Sequence, residues 1–106
     1  MGLFDLFKRP DINQGVSEFN SVPGAVLVDV RTPQEYREGH IPGSRNIPLQ
    51  EISRSEPKLG PKDTPLFLYC RSGARSAQAA SILRHMGYTN ITNIGGITAW
   101  KGSVEH

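Results

Sequence analysis

One cysteine, Cys70, serves the whole chain of 106 residues. That scarcity excludes an intramolecular disulfide and an all-cysteine metal site, and its simplest reading is a reducing, cytoplasmic compartment. An excess of charge of one sign is also missing, since 12 Lys and Arg stand against 10 Asp and Glu for a formal net charge of +2. So mild a balance points to neither nucleic acid nor a membrane surface. No apolar run approaches the roughly 20 residues of a transmembrane helix. The three histidines, His40, His85 and His106, have no ligand spacing and no cysteine beside them, so the sequence offers no metal site. Gly95-Gly96 comes without the lysine-serine pair or third glycine of a phosphate loop, and we read it as helix punctuation. Neither repeats nor low-complexity segments are visible. A chain this long forms one domain, able to bury about 65% of its unfolded surface without staples.

Met1 to Pro10 is apolar enough to raise a targeting question. It fails as a secretory signal because Lys8 and Arg9 follow the apolar residues and Asp5 interrupts them. It fails as a myristoylation signal because Leu6 stands where Ser or Thr is required. We expect residues 1–10 to be a short extension packed onto its own domain, with a weak partner or membrane contact as the alternative. Residues 103–106 are expected to be a short C-terminal tail.

What is present centres on Pro65 to Met86. The apolar run Leu66-Phe67-Leu68-Tyr69 ends on Cys70, Arg71-Ser72-Gly73-Ala74-Arg75 follows, and then Ala79, Ile82, Leu83 and Met86 recur at helical spacing. The period changes from sheet to helix across the loop, which predicts strand, tight loop, helix. Cys70 thus falls at the carboxyl end of a strand. Loop N–H groups and the positive end of the helix converge there on an anion cradle suited to a thiolate. With Arg71 and Arg75 nearby, the thiol is expected to ionise below its usual range and act as a nucleophile. A buried cysteine serving only as a small hydrophobe is the competing reading.

The rest of the chain alternates strands with helices. Asp11 to Gln14 resembles a capping box opening a short helix with Ile12, Val16 and Phe19 on one face, weakened by Gly15. Ala25 to Val30 is continuously apolar up to Asp29, as in a strand buried on both faces of a parallel sheet. Thr32-Pro33-Gln34-Glu35 has an N-cap, a proline at N1 and a glutamate at N3, predicting a second helix that ends near Gly39. A turn follows over His40 to Ser44. A brief strand is expected at Asn46-Ile47-Pro48, a helical turn from Leu49 to Ile52, and a polar surface loop from Ser53 to Thr64. Gly87 caps the central helix, Asn90 to Ile94 is a short strand, and a last helical turn runs through Trp100. The fold class is α/β, a small parallel β-sheet flanked by helices, with its ligand site at the carboxyl ends of the strands. Asp29, Arg31 and Cys70 all fall at such ends.

Three segments together resemble single-domain rhodaneses, a sulfurtransferase family. They are Leu27-Val28-Asp29-Val30-Arg31 with Glu35-Tyr36, then Gly39-His40-Ile41-Pro42-Gly43-Ser44-Arg45-Asn46-Ile47-Pro48, then Tyr69-Cys70-Arg71-Ser72-Gly73-Ala74-Arg75-Ser76. With Gly95-Gly96 and Trp100, the likeness spans residues 11–102. It implies a rhodanese-like fold in which Cys70 accepts a sulfane sulfur from a donor such as thiosulfate, holds it as a persulfide and yields it to cyanide or a thiol. Phosphatase relatives of the family place five residues between cysteine and arginine. Here four separate Cys70 from Arg75, a tighter ring that suits one terminal sulfur better than a tetrahedral phosphoryl group. Tyr69 stands where a phosphatase histidine would precede the cysteine, and no second cysteine exists to resolve an arsenate-reductase disulfide.

The expected catalytic residues are Cys70 and Arg75, the latter orienting the loop and adding positive charge near the sulfur. Arg71, Ser72, Gly73, Ala74 and Ser76 are expected to bind substrate, Arg71 from an outward position that attracts anionic thiosulfate. Asp29 and Arg31 are supporting residues, with a structural ion pair as the plain alternative. His40 is read as fixing its turn, because an already ionised thiol needs no general base. Trp100 is read as a core or rim aromatic. The chemistry requires no cofactor. Partners are a small sulfur donor and a thiol or cyanide acceptor, or a protein acceptor. The rival function is a non-enzymatic module: a persulfide carrier, a partner-binding domain or a redox sensor.

Overall fold

The computed structural model describes residues 10–106, so the expected packing of the first nine residues lies outside the described residues. In chain order come α1 (Ile12–Ser21), β1 (Val26–Asp29), α2 (Pro33–Arg37), β2 (Ser44–Asn46), a 3-10 helix (Leu49–Arg54), α3 (Glu56–Leu59), β3 (Leu66–Cys70), α4 (Ala74–His85), β4 (Ile91–Gly96) and a 3-10 turn (Ile97–Ala99). The four strands form one sheet in the order β2-β1-β3-β4, and every pairing is parallel.

The continuous apolar runs are explained by burial on both faces. Val26, Val28, Val30, Leu66, Leu68 and Cys70 pack with Ala79, Ala80 and Leu83 of α4, whereas Leu27, Phe67 and Tyr69 pack with Ile12 and Val16 of α1. Strand alternation therefore assigns Cys70 to the α4 side. Thr32 and Glu35 form the expected reciprocal cap, with Glu35 N–H donating to Thr32 Oγ1 at 3.1 Å and Thr32 N–H to Glu35 Oε1 at 2.9 Å. Asp11 caps α1 through the Asn13 N–H at 2.9 Å, not through a reciprocal box with Gln14.

Several expectations are corrected by packing. Strand β2 occupies Ser44–Asn46 and shares only Asn46 with the predicted segment. Residues 53–64 are not merely a surface loop, because α3 lies within them and buries Leu59 to 1% exposure. Gly15 is more than a weak point in α1: a Cβ there would sit 2.4 Å from the Ile94 side chain, so glycine lets α1 lie close on β4. Gly95-Gly96 does not punctuate a helix but continues β4. The pairing steps from Leu68–Asn93 to Tyr69–Gly95, a bulge at Ile94. The C-terminal tail docks, with Glu105 and His40 exchanging two backbone hydrogen bonds of 2.8 Å. No helix among the described residues is long and apolar enough to cross a membrane.

Candidate active site

Strand β3 delivers Cys70 to the sheet's carboxyl edge at 1% exposure, and the chain turns at once into α4. Gly73, at φ 104°, makes that turn in a region L-residues avoid. Its N–H donates to Cys70 Sγ at 3.0 Å, and Ser76 Oγ lies 3.5 Å from the same sulfur. Burial by itself pushes the thiol up, but hydrogen bonds from the Ser76 hydroxyl and from the N–H groups of Ser76, Gly73 and Ser72 outweigh it and leave the thiol below its ordinary range.

Strand β4 backs the loop. A Cβ on Gly96 would fall 2.2 Å from the Arg71 carbonyl oxygen, so only glycine permits this approach. Thr98 donates to that carbonyl through its N–H at 3.3 Å and its hydroxyl at 3.2 Å. Asn93 holds the next stretch, donating Nδ2 to the Gly73 carbonyl at 3.2 Å while Oδ1 accepts from the Gly95 N–H at 3.1 Å and lies 2.7 Å from Ser76 Oγ. A cavity of about 390 Å³ lies beside this part of the loop, lined by Ser72, Gly73, Asn93, Gly95 and Thr98 among others, but not by Cys70.

The two arginines are placed differently from each other. Arg75 spends its fork on Glu35, with Nη1 2.7 Å from Oε1 and Nη2 3.0 Å from Oε2. The Arg75 hydrogen bonds hold the Glu35 carboxyl down at about 2. Arg71 is exposed. The lowered Cys70 thiol therefore owes its shift chiefly to Ser76 and the loop amides rather than to the guanidinium groups. Ser72 and Ala74 are exposed, whereas Ser76 is fully buried and faces the sulfur from behind.

Asp29 and Arg31 form a buried pair, Oδ2 to Nη2 at 2.7 Å, and Arg31 Nη2 also donates to the Gly39 carbonyl at 2.8 Å. Arg31 lies over the Tyr69 ring at 5.8 Å, and the Ile41 N–H donates to the Tyr69 hydroxyl at 3.1 Å. The pair thus fixes the turn after α2 and makes no hydrogen bond to Cys70 or its loop. In that turn His40 stacks on Tyr36 at 3.7 Å, with Nδ1 2.8 Å from the Tyr36 carbonyl oxygen. Trp100 sits half-buried against the α1 side of the core.

Three residues that shape the site were not singled out for it in the sequence. Glu35 is visible as a capping residue and in the family likeness, Gly96 as half of a glycine pair in that likeness, and Asn93 only as a strand position. The one signal for Asn93 is its place two residues before paired glycines in the strand that ends beside the cysteine.

Residues 13–103 match the rhodanese-like domain family. The chain belongs to that family. A protein of Allochromatium vinosum named sulfurtransferase is 45% identical over 76 residues, 71% of this chain and 70% of that protein. The thiosulfate sulfurtransferase PspE of Escherichia coli is 41% identical over 71 residues, 66% of this chain and 68% of that one. The chain thus spans about two thirds of the length of these two relatives. The structure of the human single-domain sulfurtransferase TSTD1 superposes with a TM-score of 0.77 at 28% identity, covering 91% of this chain and all of that one.

Proposed function

We propose that this rhodanese-like domain is a sulfurtransferase that moves a sulfane sulfur from a donor such as thiosulfate to cyanide or a thiol through a persulfide on Cys70. The observation that carries this reading is the Cys70 sulfur itself, held at a strand end by the Gly73 N–H and the Ser76 hydroxyl with its thiol below the ordinary range. In the first step the thiolate attacks the donor's outer sulfur. A sulfur–sulfur bond forms to Cys70, the donor's bond to that sulfur breaks, and its electron pair leaves with the donor remainder, sulfite in the case of thiosulfate. The negative charge now sits on the terminal sulfur. Loop N–H groups of the Ser72, Gly73 and Ala74 stretch stabilise it there without reorganising.

In the second step cyanide or a thiolate attacks the terminal sulfur and expels the Cys70 thiolate, so two half-reactions share one intermediate. Exposed Arg71 draws anionic donors toward the loop. Arg75 orients the first turn of α4 through its bond to Glu35, and Asp29 with Arg31 supports the neighbouring turn. The acceptor is a small thiol, cyanide or a protein thiol, the compartment is the cytoplasm, and no cofactor takes part. Steady-state turnover of thiosulfate and cyanide tests the reading. We expect turnover in the natural chain and none in Cys70→Ser, whereas retained turnover in that folded variant would falsify it. Sulfur loading without turnover would indicate a carrier instead.

A further inference from the structure

The Ser76 hydroxyl has one hydrogen and three acceptors within reach: Asn93 Oδ1 at 2.7 Å, the Gly73 carbonyl at 3.0 Å and Cys70 Sγ at 3.5 Å. It serves one of them at a time. The register brings Asn93 into this competition, because it pairs Asn93 with Leu68, two residues before Cys70 and on the same face. The Asn93 amide has a single workable orientation. Gly95 N–H is a donor and must meet Oδ1, and the Gly73 carbonyl is an acceptor and must meet Nδ2. Oδ1 therefore faces Ser76.

We propose that Asn93 is a positioning residue for Cys70: it parks the Ser76 hydroxyl when the sulfur is uncharged and releases it to Sγ when the sulfur is a thiolate. The exchange leaves no group unsatisfied. When the hydroxyl turns to Sγ, Oδ1 keeps the Gly95 N–H, and the Gly73 carbonyl keeps the Asn93 Nδ2 and the Ala77 N–H at 3.1 Å. No covalent bond changes; only the acceptor of one hydrogen bond does. Resting on the sulfur-transfer reading, the same pivot runs during the reaction. Formation of the persulfide moves the charge from Sγ to the terminal sulfur, the hydroxyl returns to Asn93, and discharge to the acceptor calls it back to the leaving thiolate. Asn93 thus sets when the Ser76 hydroxyl is available to Cys70 without touching either substrate.

The test is the pH dependence of Cys70 alkylation by iodoacetamide in Asn93→Ala, Ser76→Ala and the double variant, with melting curves to establish that each is folded. Arg75 is the charged group that bears on Cys70 from α4, and it remains paired with Glu35 of α2 throughout; Asp29 and Arg31 remain paired on β1 and the chain after it. Ser76→Ala is expected to raise the pH midpoint and slow alkylation below it about threefold, half a unit being about a factor of three. Asn93→Ala removes the nearer of the two acceptors that compete with Sγ and is expected to speed alkylation below the midpoint by up to about the same factor, and the double variant to behave as Ser76→Ala alone. Asn93→Asp keeps the acceptor and adds charge, so it is expected to slow alkylation, and to do so more when Ser76 is present. Equal effects of the Asn93 variants with and without Ser76, or no effect in either background, would overturn the proposal. Because alkylation needs no sulfur donor, this result is independent of whether a persulfide forms.

Discussion

The guanidinium of Arg75 and the carboxylate of Glu35 lie 40 residues apart in sequence yet meet as a two-pronged ion pair at 2.7 and 3.0 Å, binding the first turn of α4 to α2. Glu35 is therefore shared between a helix cap and the active-site helix. The pair directs the Arg75 fork to Glu35 rather than to the Cys70 sulfur. It is partly exposed, at 33% and 24% of the two side chains, and its net contribution is about 1–2 kcal/mol, above that of a fully solvated pair because the geometry is bidentate.

Glu35 makes stability depend on acid. Its carboxyl ionises at about 2 in the fold against an ordinary 4.5, so the folded state binds fewer protons than the unfolded chain between those values. The stabilisation is fully present above about 4.5 and is lost as pH falls through 2. Denaturant melts from pH 5 to pH 2 are expected to show this loss, and Glu35→Gln is expected to be less stable at pH 7 and to lose less on acidification. An identical acid slope in the two proteins would count against the pair.

Gly96→Ala places a methyl group 2.2 Å from the Arg71 carbonyl oxygen and must push the cysteine loop outward. We expect a destabilisation of about 1–3 kcal/mol and slower alkylation of Cys70 below neutrality, because the amide cradle is displaced. Gly15→Ala meets the Ile94 side chain at 2.4 Å on the other side of the sheet. It is expected to cost similar stability with alkylation unchanged. The two variants, compared by melting and alkylation, separate packing from site geometry.

Asp29→Ala leaves the Arg31 guanidinium buried without its carboxylate, a change that costs about 3–5 kcal/mol. The expected result is a large loss of stability by denaturant melting. In the fraction that remains folded, the alkylation profile of Cys70 should match that of the natural chain, because the pair makes no hydrogen bond to the loop.

The centre of the fold was legible because local signals agreed there. From Leu66 to Met86 the hydrophobic period changes once, at the cysteine, and Thr32 to Glu35 carries a complete cap within four residues. The α3 turn was hidden because Leu59 is the one apolar residue in a polar stretch. Gly95-Gly96 was misread because paired glycines usually end elements, whereas here they let a strand bulge and approach the loop. Asn93 and Glu35 carry no local mark of their role. Their partners, Ser76 and Arg75, stand 17 and 40 residues away, and only the folded sheet brings them together.

The measurement that tests the central claim most directly is intact mass of the reduced protein after incubation with thiosulfate, with and without cyanide. The account predicts a gain of about one sulfur atom, located on Cys70 and removed by cyanide, as a nucleophilic thiolate forming a persulfide requires. An unchanged mass in the folded protein, or a gain that persists in Cys70→Ser, would contradict it.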